Sequence, residues 1–308
     1  MLPSQIEVQK SETFAGHSAA IFTVCKGLQE NTFLSGAGDG LVAEWNIDNE
    51  IPAKGIAQIP GNIFSLCLVD KFNMLIIGQM RGGVHVIDLN TKTEIRNLGR
   101  TTGSVYDLFF HSSKDQLFVA SEDGNLYCWQ LPEFSLVHAH KISGKSIRRI
   151  AFDKKRNEFA FACSDNFTYI YDDDGMHLKT KLSGHTSSVF SVIYHPERNY
   201  LLTGSRDAQL GVWDLENFQL RQMIPAHLYT INDIKFSPGG DLFATAGRDK
   251  HIKLWDGASL ELLKVIDLEK YGGHAHSVNK LFWSSYNNSL ISCGDDKMIY
   301  CWEISYNT

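Results

Sequence analysis

Counting in steps of 42 residues from Trp213 reaches Trp45, Ile87, Trp129, Tyr171 and Trp255, and Trp302 follows after a step of 47. Two further columns keep the same register. Six residues before each of these positions stand Asp39, Arg81, Asp123, Asp165, Asp207, Asp249 and Asp296. Twenty-four before stand Ile21, Ile63, Val105, Ile147, Val189, Ile231 and Val278. A fixed period of this size means stacked supersecondary units, each burying its apolar face against a neighbour. Seven units result, and the last carries an insertion of five residues near "DLEKYGG".

Each unit is built of short strands. "LFATAGRDKHIKLWD" gives two β-type runs around a turn of Gly, Arg, Asp and Lys, and residues 231–236 give a third run before it. No ten-residue segment sustains a helical period with caps, so the class is all-β.

Literal Trp-Asp occurs at Trp213-Asp214 and Trp255-Asp256, and Gly-His at Gly16-His17, Gly184-His185 and Gly273-His274. With the period, these motifs make essentially the whole chain resemble the Trp-Asp (WD) repeat family of β-propellers. The resemblance implies seven four-stranded antiparallel blades around a central channel. The period of 42 residues suits one blade. The last unit stops after its third strand, and "EVQKSETFAGH" aligns with "MHLKTKLSGH" before unit five. Residues 8–14 are therefore expected to complete the last blade and close the ring, hiding an edge that would otherwise pair with other chains. Residues 1–308 are read as one domain, with repeats ending near Trp45, Ile87, Trp129, Tyr171, Trp213, Trp255 and Trp302.

Composition removes several function classes. Net charge is -6 and no run of five basic residues occurs, which argues against nucleic acid as a partner. No apolar run of eighteen residues and no signal-type N-terminus are present, so neither a membrane partner nor export is expected. Six cysteines stand singly, with no CxxC pair, as in a reduced, cytoplasmic protein. The protein is expected to be monomeric on its own.

Four units carry a full set of His, hydroxyl, Asp and Trp: His17, Ser35, Asp39, Trp45; His185, Thr203, Asp207, Trp213; His227, Thr245, Asp249, Trp255; and His274, Ser292, Asp296, Trp302. A catalytic triad is needed once, whereas these recur with a fixed His-to-Asp separation of 22 residues. The family resemblance implies a buried hydrogen-bond chain linking the loop before each blade to its inner strands, and buried polar groups require such partners. No catalytic residue, cofactor or metal site is therefore assigned. Units two, three and four depart from the pattern, with Ile59, Thr101 and Ser143 in the histidine slot and Ile77, Val119 and Phe161 in the hydroxyl slot. These blades are expected to rely on apolar packing and to be less rigid. "DDDG", residues 172–175, lacks the oxygen alternation of a calcium loop and reads as a turn. In "GGHAHS", His274 belongs to its repeat slot and His276 has no partner pair at zinc spacing.

Within each first strand the apolar residues lie 24, 21 and 19 before the origin, as in Val189, Val192 and Tyr194. A step of three in a period-two strand requires one extra residue, a β-bulge, which turns the following side chain toward the channel mouth. That position reads Phe22, Phe64, Tyr106, Arg148, Phe190, Asn232 and Asn279, and the residue before each turn aspartate reads Gly38, Met80, Glu122, Ser164, Arg206, Arg248 and Asp295. The family resemblance implies that such positions contact peptide ligands. The expected partner site is Phe22, Phe64, Met80, Tyr106, Arg148, Phe190, Arg206 and Arg248, because aromatics and arginine dominate interface hot spots. The expected function is a non-catalytic module that binds a peptide or loop of a partner protein. The alternative is a scaffold subunit that uses blade edges and sides, and a hydrolase-type propeller enzyme ranks below both.

Overall fold

The computed structural model describes residues 6–81, 83–99 and 103–306. Seven four-stranded antiparallel sheets form, each from consecutive segments except the last. The innermost strands are Ile21–Lys26, Ile63–Val69, Val105–His111, Ile147–Asp153, Val189–Tyr194, Ile231–Phe236 and Val278–Trp283. Each lies beside the next, and the seventh lies beside the first, so they close a ring around a channel.

The ring is sealed as the sequence implies, by a longer strand than the expected residues 8–14. Ile6–Ala15 runs antiparallel to Met298–Tyr306 as the outer strand of the last sheet, pairing Val8 with Ile304 and Phe14 with Ile299. Two side-chain bonds fasten it to its neighbours: Lys10 Nζ donates to Gly272 O at 2.8 Å, and Asn49 Nδ2 donates to Glu12 Oε2 at 3.0 Å. The insertion in the last unit folds as a one-turn helix, Leu268–Tyr271, capped by Asp267 and ended by Gly272 in the left-handed region.

The core lies between blades. Alternation along each strand sends one set of side chains into the face of the next sheet. One such layer joins Phe33 and Trp45 of the first blade to Phe14, Ile291 and Ile299 of the last, and another joins Leu242 and Leu254 of blade six to Leu281 and Trp302 of blade seven. Burying each Leu or Ile contributes about 1.5–3 kcal/mol, so every blade is stabilised by both neighbours. The turns between second and third strands bring the chain close to the next blade. At Gly40 and Gly124, with φ of +76° and +77°, a Cβ would lie 2.1 and 2.2 Å from the carbonyl oxygens of Ile59 and Ser143.

Candidate functional site

The repeated histidines, hydroxyls and aspartates are inside the blades. In blade five, His185 Nδ1 is 3.0 Å from Asp207 Oδ2, His185 Nε2 is 2.7 Å from Thr203 Oγ1, and Trp213 Nε1 donates to the same Oγ1 at 2.8 Å. Blades one, six and seven repeat this chain, with hydroxyl-to-histidine distances of 2.7, 2.8 and 2.9 Å. The carboxylate facing Nδ1 fixes the proton there, so Nε2 accepts from the hydroxyl, whose lone pair accepts from the indole N–H. Each aspartate also caps the loop before its blade: Asp207 accepts from Thr186 N at 2.9 Å and from Gln209 N at 3.0 Å. Burial raises the Asp207 carboxyl, but the His185 hydrogen bond and these backbone donors outweigh it and hold its pKa at about 2. Asp249 stands at about 2 for the same reasons, with His227 as partner. Burial lowers the pKa of His227 despite Asp249, which keeps its imidazole neutral. Ser35, Thr203, Thr245 and Ser292 are fully buried with both sides of each hydroxyl engaged. The set is a blade clamp repeated four times.

Blades two to four are held differently, and the expectation of apolar packing alone needs correcting for two of them. In blade two, Ile59, Ile77 and Ile87 do share one apolar layer, and a separate trio forms where His85 lies 2.9 Å from both Gln79 Oε1 and Glu94 Oε1. In blade three, Tyr127 OH donates to Asp123 Oδ2 at 2.7 Å. In blade four, Asp165 Oδ2 accepts from both Tyr169 OH and Ser143 Oγ, each at 2.7 Å. A tyrosine two residues before the repeat origin thus supplies the hydrogen bond that the absent histidine would have made. Thr101, the histidine-slot residue of blade three, lies outside the described residues.

Residues 172–175 form a turn in which Asp172 Oδ1 accepts from Gly175 N at 2.8 Å, while the buried Asp173 lies 2.8 Å from Lys114 Nζ. His276 is exposed. Among the described residues no group of three or more His, Cys, Asp or Glu side chains is placed to hold a metal ion. No helix among them is long and apolar enough to cross a membrane.

At the channel mouth the bulges stand where the spacing puts them. The register of every innermost strand shifts across one residue: Phe22, Phe64, Tyr106, Arg148, Phe190, Asn232 and Asn279. In each blade the residue before the turn donates its backbone N–H to the carbonyl just ahead of the innermost strand, as Arg206 N does to Ser188 O and Arg248 N to Thr230 O, both at 2.9 Å. That bond seats the two rim positions side by side.

Five of the seven bulge side chains form an unbroken arc. Phe22 meets Phe64 edge-on at 5.1 Å, Phe64 stacks on Tyr106 at 5.8 Å, and Arg148 spans Tyr106 and Phe190 at 4.0 and 4.8 Å from the ring centroids. Arg148 Nε also donates to Ser164 Oγ at 2.8 Å. Burial lowers the guanidinium pKa, which Tyr106 and Glu122 partly offset. Met80 Sδ lies 3.4 Å from Asn62 Nδ2, beside this arc. The other two bulge residues are latches: Asn232 Nδ2 donates to Val278 O at 2.7 Å, and Asn279 Nδ2 to Ile21 O at 3.0 Å and Asp295 Oδ1 at 2.7 Å. Arg206 and Arg248 are exposed, and among the described residues neither guanidinium pairs with a carboxylate.

Two rim residues were not singled out from the sequence. Leu228 and Tyr229, in the loop leading into blade six, are 77% and 62% exposed. The signal was available: after the histidine the full-set blades read "HSAA", "HTSS" and "HAHS", whereas blade six reads "HLYT". These side chains stand next to Thr230, whose carbonyl holds the backbone of Arg248.

Comparison with known proteins identifies the repeat. The family described as WD domain, G-beta repeat matches residues 92–130, 176–214, 218–256 and 266–303. A WD repeat-containing protein 91 homolog of Dictyostelium discoideum is 22% identical over 49% of this chain and 21% of its own length. A probable coatomer subunit beta' of Schizosaccharomyces pombe is 27% identical over 43% of this chain and 17% of its own, and pre-mRNA-processing factor 19 of Mus musculus is 28% identical over 42% and 26%. The matched stretch is thus about a quarter or less of each of these relatives. The crystal structure of the WD40 β-propeller domain of Doa1 superposes with a TM-score of 0.83 at 20% identity, covering 96% of this chain and 97% of that one. Four matched repeats covering half of the chain, within a ring of seven four-stranded blades, make this chain a member of the WD40 family.

Proposed function

We propose that the chain is a non-catalytic protein-interaction module that captures a peptide or loop of a partner protein at the channel-mouth rim. WD40 propellers generally serve as interaction modules, and relatives named as a coatomer subunit and a processing factor agree with such a role. The observation that carries the placement is the arc from Phe22 through Phe64, Tyr106 and Arg148 to Phe190, which ends in blade five, the blade of the exposed Arg206, with the exposed Arg248 in the next blade. Met80 borders the arc, and Leu228 and Tyr229 extend the apolar contact into blade six. An apolar side chain would rest on the arc while an acidic group meets the arginines, the aromatic-and-arginine chemistry of interface hot spots. We read residues 1–308 as one domain, monomeric on its own and cytoplasmic, without nucleic-acid or membrane partners.

The test is selection of peptides from a random library on the immobilised chain. Enriched peptides should lose about tenfold or more in affinity on Phe64→Ala and on Arg206→Glu, the scale of one hot-spot contact. Equal affinity for both variants, each with unchanged melting temperature, would sink the rim assignment. A scaffold role for the blade sides is the second reading, favoured by the half-exposed Leu268 on the inserted turn and by the outer strand Thr93–Asn97, all of whose residues are exposed. Binding that survives the rim changes but fails on Leu268→Glu would select it.

A further inference from the structure

Below the mouth, the channel wall carries charges that neither the clamps nor the rim uses. Strand alternation turns the residue after each bulge toward the axis, opposite the apolar columns that enter the core. Four of these are charged: Asp107, Arg149, Asp233 and Lys280, and Lys235 lies two residues further along the strand of Asp233.

The three cations are poorly matched by the two anions. Arg149 is 8% exposed, and its nitrogens stand 3.6 Å from Asp107 and 3.3 Å from Asp233, long for charge-assisted bonds. Both carboxylates are already engaged: Asp107 accepts from Ile150 N at 2.8 Å, and Asp233 from Leu281 N at 3.1 Å and Ser191 Oγ at 3.3 Å. Among the described residues, neither Lys235 nor Lys280 has a carboxylate oxygen within the 4.0 Å of an ion pair. Burial, then Arg149, lowers both ammonium groups, Lys235 to about 8, with Asp233 offsetting only part of this. Lys235 and Lys280 are half-buried beside the buried Arg149, and excess positive charge in such a wall is costly unless an anion compensates it.

We propose that the channel binds one small inorganic oxyanion of the phosphate class, held by Arg149, Lys235 and Lys280. A guanidinium fork and two point-like ammonium groups suit a tetrahedral ligand with several acceptor oxygens better than a monatomic ion. A small ligand suits the entrance, where the aromatic arc links blades one to five and the Asn232 and Asn279 latches link blade six to seven and seven to one. Bound there, the anion ties blades four, six and seven together across the axis. This site is independent of the rim's role.

The probe is inorganic phosphate, titrated into the full chain at constant ionic strength and followed by calorimetry and by 31P line broadening. One saturable site per chain with a sub-millimolar Kd is expected, together with a rise in melting temperature that sodium chloride does not reproduce. Lys235→Met and Lys280→Met should each weaken binding about tenfold, the loss of one charged hydrogen bond, whereas Lys280→Arg retains it. The absence of saturable broadening with the unaltered chain overturns the proposal, whatever the variants do. So does undiminished affinity in folded Lys235→Met and Lys280→Met chains, or an equal thermal shift with chloride.

Discussion

The guanidinium carbon of Arg148 lies 4.0 Å from the ring centroid of Tyr106 and 4.8 Å from that of Phe190. A single cation therefore continues an aromatic surface from blade three across blade four to blade five. Without it the stacked rings would end at Tyr106, and Phe190 would stand alone. The same residue carries a positive charge into the middle of an apolar arc, where an acidic group of a partner would find both chemistries within one side-chain length.

Replacing Arg148 by Met keeps much of its apolar stem but removes the cation. Each ring contact is worth about 0.5–2 kcal/mol. The expected loss is about 1–2 kcal/mol, read as a melting temperature lower by about 2–6 °C. Arg148→Lys should not recover it, because an ammonium cannot lie flat between two rings while also reaching Ser164 as the guanidinium Nε does at 2.8 Å. A wild-type melting temperature for Arg148→Met would show that the stacking contributes no stability.

Thr203 tests the clamp without changing its shape. In Thr203→Val the Trp213 indole N–H and the His185 Nε2 both lose their partner inside a buried site. An unsatisfied buried group costs about 1–3 kcal/mol, so a loss of about 3 kcal/mol is expected in denaturant unfolding. Blade two is the internal control. Ile77 occupies the equivalent position with Ile87 in place of the tryptophan, so Ile77→Val removes one methyl group and costs only about 1 kcal/mol. Equal costs at the two sites would mean that the hydrogen-bond chain is not what distinguishes them.

What the sequence made legible follows from repetition. The clamp positions, the closing strand and the bulges recur at fixed distances in all or most units, so each is a column rather than a single residue. Contacts that break the period were hidden. Tyr127 and Tyr169 serve two blades only, too few to form a column, and their role emerges only where the histidine is missing and Asp123 and Asp165 accept from a tyrosine hydroxyl. Arg149, Asp107 and Asp233 meet across blades from positions as much as 126 residues apart, a relationship set by closure of the ring and by no local pattern. Leu228 and Tyr229 were readable as a departure from small polar neighbours, but exposure had to be seen to give that departure meaning.

The clamps also fix how stability responds to acid. Asp207 and Asp249 have folded-state pKa values of about 2, below the ordinary 3.8, and both side chains are nearly inaccessible. A depressed carboxylate contributes stability that is present above its unfolded pKa and lost as pH falls through its folded pKa. Each should contribute about 2 kcal/mol at neutral pH, disappearing between about pH 4 and pH 2. His227 acts in the same direction from higher pH, since its lowered pKa means the unfolded chain takes up the proton first. Urea midpoints measured from neutral pH downward should fall accordingly, and Asp249→Asn should reduce the drop below pH 4 by about 2 kcal/mol, the Asp249 share of a fall to which Asp39 and Asp296, also lowered, contribute. An unchanged slope in that variant would place the acid sensitivity elsewhere.

Leu228 and Tyr229 offer the cleanest separation of binding from folding. At 77% and 62% exposure their removal should leave stability within about 0.5 kcal/mol. If the rim reading holds, the pair lengthens the apolar contact next to Arg248. The double change Leu228→Ser and Tyr229→Ser should then weaken peptides selected on the chain by about 1–2 kcal/mol, mainly through faster dissociation. Arg206→Glu acts on the same ligand differently, by reversing the charge that an acidic residue approaches, so its effect should shrink as salt is raised. Surface plasmon resonance at low and high salt distinguishes the two. A loss that is insensitive to salt for Arg206→Glu and sensitive for the Leu228 and Tyr229 change would contradict the division of the rim into apolar and basic contacts.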